Sequence, residues 1–141
     1  MLTKELEEKM IQFFSETQKT LFDFMNGVIP EDITPIQYNI LEYIFFNTQS
    51  IMSQLAKCLY MSLPNTSREV KKLVTKGYIR RECDPTDKRK HYLYLSDDGI
   101  TLMNKSLGIL CSNANEKYRD MSEEDQKETV ELMDKLMEKI F

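Results

Sequence analysis

The chain changes its hydrophobic period twice. From Leu6 to Val74 the apolar residues recur mostly at steps of 3 and 4. From Tyr78 to Ser96 the period is 2, and from Ile100 to the last residues the helical step returns. A sequence with one short alternating stretch between long helical ones has room for a single hairpin and little other β structure. Four glycines and four prolines in 141 residues leave few positions for further turns. The expected fold class is mainly α with a small β-hairpin, in one compact unit of ordinary domain size.

Punctuation residues divide the helical stretches. Leu6, Met10, Phe13, Thr17, Leu21, Phe24 and Val28 form one stripe, widened by Phe14, Phe22 and Met25, until Gly27 and Pro30 end the helix. Thr34 followed by Pro35 starts a second helix with Ile36, Ile40, Leu41, Ile44 and Phe45 as its buried face. A short helix from about Met52 to Leu59 turns Leu55, Ala56 and Leu59 inward. Ser62 caps the next, with Pro64 in its first turn, where amides lack helical partners anyway. Val70, Leu73 and Val74 should face the core, and Gly77 should stop the helix. Ser96 and Ser122 start the last two helices, Ser122 with Asp125 three residues on.

Between them, "YIRREC" and "HYLYLS" flank the turn-rich "DPTDKRK". Three helices followed by a hairpin describe a winged helix-turn-helix. The expected organisation is an N-terminal helix over 1–30, a winged lobe over 31–98 and two C-terminal helices over 99–141. The terminal helices are longer and more apolar than one small domain can hide. They are therefore expected to be dimerisation helices, interleaved with those of a second copy.

The net charge is −4, but it is unevenly placed. Residues 68–90 hold nine Lys and Arg against four acids, a net +5, while the other 118 residues hold ten against nineteen, a net −9. A local basic patch on an acidic body suits a polyanion held at one face. A helix-turn-helix presents the N-terminal residues of its second helix to base edges in the major groove. Here that helix opens "SLPNTSREVKK", so Ser62, Pro64, Asn65, Thr66, Ser67 and Arg68 are the candidate groove residues, with Lys71 and Lys72 suited to phosphates. Lys88, Arg89 and Lys90 at the hairpin tip suit the neighbouring minor groove or backbone. Asp87, two residues before Arg89, is the candidate for orienting that side chain.

"DKRKHYLYLSDDG" resembles the wing signature of the MarR family of transcriptional regulators in Asp87-x-Arg89, Leu93-x-Leu95-Ser96 and Gly99. "ITPIQYNILEYI" and "MSQLAKCLYMSLPNTSREVKKLV" resemble that family's helices before the wing. The resemblance implies a homodimer on a pseudo-palindromic double-stranded operator, acting as a repressor. It also implies release by a small aromatic or lipophilic effector bound between the dimerisation helices and the DNA-binding lobe. On that pattern Phe13, Thr17, Tyr38 and Met103 are the pocket candidates. Some relatives sense oxidants through a cysteine near the start of the first helix, whereas the first cysteine here is Cys58.

Other classes find little support. Cys58, Cys83 and Cys111 are widely spaced, fit neither a disulfide framework nor a zinc pattern, and are expected to be buried or inert. His91 is the single histidine, and no nucleophile–base pair, phosphate loop or carboxylate dyad stands out. No enzyme activity, metal or cofactor is expected. The acidic N-terminus is unlike a signal peptide, and no apolar run approaches the roughly 20 residues of a membrane span. The expected location is the cytoplasm. The alternatives are a cysteine-based redox regulator of the same fold and a winged-helix interaction module that binds no DNA.

Overall fold

A computed structural model describes residues 1–141. In chain order the elements are α1 (Lys4–Phe24), α2 (Pro35–Phe46), β1 (Ser50–Ile51), α3 (Met52–Cys58), α4 (Leu63–Thr75), β2 (Ile79–Cys83), β3 (His91–Leu95), α5 (Asp97–Lys117) and α6 (Glu123–Ile140). The fold is mainly helical around a small antiparallel sheet of order β1-β3-β2. The two-residue β1 is an addition to the expected hairpin. Ser50 pairs with Leu93, so the helix-turn-helix is stitched to the inner strand of the wing.

The caps lie where local chemistry puts them. Thr34 and Gln37 form a reciprocal capping box at the start of α2. The hydroxyls of Ser62, Ser96 and Ser122 accept from the amides of Asn65, Gly99 and Asp125 at 3.3, 3.0 and 3.1 Å. Each such cap stabilises its helix by about 1 kcal/mol. At the end of α4, Gly77 (φ 82°) donates to the Val74 carbonyl and Tyr78 to the Leu73 carbonyl, both at 3.0 Å. These two bonds satisfy carbonyls the helix leaves open.

Ile40, Leu41, Leu55, Val70, Leu73 and Leu93 are fully or almost fully buried at the centre of the lobe. Burying each contributes about 1.5–3 kcal/mol. Val28 and Met103, from either side of the lobe in sequence, lie in the same core. Two expected inward positions are surface instead. Ile36 and Val74 are exposed, because tertiary packing rotates α2 so that Gln37 and Tyr38 face inward, and α4 so that Thr66 does.

No residue of α1 or α6 is buried. Only the C-terminal end of α1 is fastened. The Asn113 side-chain amide donates to the carbonyls of Phe24 and Asn26, each at 2.8 Å, and Lys117 pairs with Asp23 at 2.7 Å. Just beyond, the buried Ser106 hydroxyl donates to the Val28 carbonyl at 2.8 Å. The rest of α1 presents Leu6, Ile11, Phe13 and Phe14 to solvent, and α6 presents Val130, Leu132, Met133 and Met137. No helix is long and apolar enough to cross a membrane.

Candidate nucleic-acid interface

The amino end of α4 is a surface. Ser62, Pro64, Asn65, Ser67, Arg68, Lys71 and Lys72 are all exposed. Thr66 is the correction among the groove candidates. It is 0% exposed and its hydroxyl donates to the Ser62 carbonyl at 2.9 Å, so the side chain packs under the helix and offers nothing outward. The reason is periodicity, since Thr66 stands four residues before Val70 on the buried face of α4.

Two residues the sequence reading passed over hold α4 in place. Glu69 accepts from the Gln37 amide at 2.9 Å and pairs with Lys72 at 2.7 Å. The bond from Lys72, and then that from Gln37, draw the Glu69 carboxyl below its ordinary range. Lys72 is thus partly neutralised, whereas Arg68 and Lys71 take part in no ion pair. Lys76, at the far end of α4, donates to the Asp32 carbonyl.

The wing is organised by Asp84. One of its carboxylate oxygens accepts from the Thr86 amide (2.8 Å), the Thr86 hydroxyl (2.7 Å) and the Asp87 amide (3.1 Å). The other accepts from the Tyr92 hydroxyl at 2.9 Å. These donors, the Thr86 hydroxyl foremost, hold the Asp84 carboxyl well below the usual carboxylate range, and the Asp84 carboxylate, through its bond from the Tyr92 hydroxyl, pushes that phenol up. Asp87 acts differently from the expectation. Its carboxylate accepts from the Arg89 main-chain amide at 3.0 Å, and no ion pair joins it to the Arg89 guanidinium. Asp87 therefore shapes the turn, and the side chain of Arg89 is left free. Lys88, Arg89 and Lys90 are all exposed at the tip. At the base of the wing, Arg80 lies over the Tyr94 ring at 4.8 Å and pairs with Glu82.

A cavity of about 430 Å³ opens between α1, α2 and α5, lined by Leu21, Phe22, Met25, Tyr38, Glu42 and Leu110 among others. Of the four pocket candidates only Tyr38 lines it. Met103 is plain core, while Phe13 and Thr17 lie on the exposed run of α1. The Tyr38 hydroxyl is buried without a hydrogen-bond partner. Burial, and then the Glu42 carboxylate, push that phenol up, and burial also pushes the Glu42 carboxyl up. Glu42 stands four residues after Tyr38, a spacing that puts both on one helix face.

The cysteines depart from expectation in one respect. All three are free and exposed. Cys83 lies opposite His91 in the register, and its thiol donates to the Lys88 carbonyl at 3.4 Å. No group of three or more metal-binding side chains is present.

Residues 31–90, which contain the helix-turn-helix and most of the wing, match the model of the MarR family. The HTH-type transcriptional regulator YkoM of Bacillus subtilis is 26% identical over 101 residues, a match spanning 72% of this chain and 66% of YkoM. Among solved structures, RV1404 from Mycobacterium tuberculosis is similar with a TM-score of 0.83 at 16% identity, over 97% of this chain and 95% of that one. A mutant of E. coli MarR complexed with operator DNA is similar with a TM-score of 0.65 at 22% identity, over 96% and 98%. The two structures share the fold, and the family match falls on the lobe that carries the exposed face of α4. Residues 31–90 of this chain are thus similar to the MarR family.

Proposed function

We propose that the chain is a sequence-specific DNA-binding transcriptional regulator, working as a homodimer on a pseudo-palindromic operator. The observation that carries this is the pairing of two exposed basic features in one acidic chain. The amino half of α4 offers Asn65, Ser67, Arg68 and Lys71, and the wing tip offers Lys88, Arg89 and Lys90 with their charges unpaired. Asn and Ser read base edges, Arg and Lys neutralise phosphates, and a wing Arg fits a narrow minor groove. The operator complex of a similarly folded protein supports the reading. The unburied apolar faces of α1 and α6 support the dimer, since isolated patches of that size rarely stay open to water.

The regulator is a repressor released by a small aromatic or lipophilic effector in the cavity between α1, α2 and α5. There the Tyr38 hydroxyl is free to bond a ligand. Ligand occupancy reaches α4 through α2, because Gln37, which holds Glu69, adjoins Tyr38 in sequence.

The test is binding of the purified protein to duplexes it selects from a random-sequence pool, followed from 50 to 200 mM salt. If a dimer neutralises about 6–10 phosphates, affinity falls roughly a thousandfold or more over that range. Half-sites should lie about 34 Å apart. Arg89→Ala should lower the salt slope by about 1 per half-site. Failure to enrich any sequence would sink this reading in favour of a protein-interaction module.

A further inference from the structure

Tyr60 is the one non-glycine residue with a positive φ, at 53°. It sits in the turn between α3 and α4, two residues before the N-cap Ser62. The turn ends α3 as Gly77 ends α4. Tyr60 donates to the Lys57 carbonyl at 3.3 Å and Met61 to the Ala56 carbonyl at 2.9 Å, the same paired bonds that close α4. At the equivalent place in α4 the chain uses glycine, which adopts a left-handed backbone without penalty. At the end of α3 it uses a bulky aromatic, for which that backbone is unfavourable.

The side chain gains nothing inside the molecule that offsets this. Tyr60 is 99% exposed, and its phenol takes part in no hydrogen bond and no aromatic pairing. Its ring and hydroxyl therefore stand free in the turn that leads into α4. Strain at a fixed, outward-facing residue is expected where the side chain serves something outside the fold. Tyrosine hydroxyls are among the side-chain groups that bond DNA phosphates and set register on the duplex.

We propose that Tyr60 is a further DNA-contact residue, whose hydroxyl donates to a backbone phosphate flanking the groove that α4 enters. The assignment rests on the DNA-binding reading above and extends it to a neutral contact in the turn. Being uncharged, Tyr60 releases no counterion, so it adds affinity without adding salt dependence.

The experiment compares wild type, Tyr60→Gly, Tyr60→Phe and Arg89→Ala on a duplex selected by the wild-type protein, across the same salt range, with melting temperatures recorded alongside. Tyr60→Gly should melt at or above the wild-type temperature, since glycine relieves the backbone. Both Tyr60 variants should bind about tenfold more weakly, a difference of about 1.4 kcal/mol, with the salt slope unchanged. Arg89→Ala should instead lower the slope. Wild-type affinity in either Tyr60 variant overturns the proposal and leaves the regulator reading intact. So does a changed slope in them, which would mean α4 had shifted. A wild-type protein that selects no duplex overturns both.

Discussion

The Gln37 side-chain amide donates to the Glu69 carboxylate at 2.9 Å, while the Gln37 side-chain oxygen accepts the Thr34 amide at 3.2 Å. One residue thus closes the amino end of α2 and grips the middle of α4. Gln37→Ala removes a hydrogen bond to a charged group and should destabilise the fold by about 1.5–3 kcal/mol. A urea midpoint lowered at unchanged slope would register it. The Glu69 carboxyl is drawn down in the folded state, so its stabilisation is present above its unfolded value and lost as pH falls through the folded one. The gap between variant and wild type should therefore narrow below about pH 4. A gap that stayed constant to pH 3 would count against the linkage.

Asp84 makes a parallel prediction for the wing. Its carboxyl is also depressed, so the wing should keep its order as pH falls past the ordinary carboxylate range, and loosen only below it. Hydrogen exchange at the Thr86 and Asp87 amides, both bound to Asp84, follows this directly. Asp84→Ala should speed both at neutral pH while leaving the amides of α2 unchanged. Equal protection in the variant would remove Asp84 as the organiser.

Tyr38 carries a buried hydroxyl that bonds nothing. Tyr38→Phe deletes a desolvated polar group and keeps the ring, so stability should rise by about 1 kcal/mol. Glu42 beside it has a carboxyl raised by burial, which makes the fold lose stability as pH rises from the unfolded toward the folded value. Glu42→Gln should stabilise at pH 7 and change little at pH 4, as thermal unfolding at the two pH values would report. A loss of stability in Tyr38→Phe would mean that the hydroxyl has a partner.

Association should depend on the open faces of α1 and α6. Phe14 and Met133 are 47% and 57% exposed in the single chain, so an Asp at either costs its own subunit little. Light scattering should give about twice the 16.7 kDa chain mass for the wild type and the single-chain mass for Phe14→Asp with Met133→Asp. Circular dichroism should remain helical. A variant that stays at the double mass would place the interface elsewhere.

The parts legible in the sequence are those set by local chemistry. Thr34, Ser62, Ser96 and Ser122 each announce a helix start through a short hydroxyl, and Gly77 announces a stop, because capping depends on neighbours three residues away. The wing shows in the alternation of Leu93 and Leu95, both buried. What escaped was set by distant partners. Ile36 and Val74 lose their expected burial through helix rotation, which a broad apolar stripe fixes only loosely. Glu69 finds Gln37 from 32 positions away. β1 is two residues long and exists only because β3 is there to receive it. The left-handed backbone at Tyr60 has no signature in its residue type, which argues against it.

The fastening of α1 has a mechanical consequence. Asn113 and Lys117 hold this helix at one end, and its 21 residues then extend for roughly 30 Å without burial against the chain. It is a cantilever with its fulcrum beside the cavity lined by Leu21, Phe22 and Met25. A tilt of about 5° at that fulcrum would swing the far tip by roughly 3 Å, on a 30 Å arm. A small wedge entering the cavity would thus be geared up into a large displacement at the free tip, and a load on the tip would be felt at the cavity.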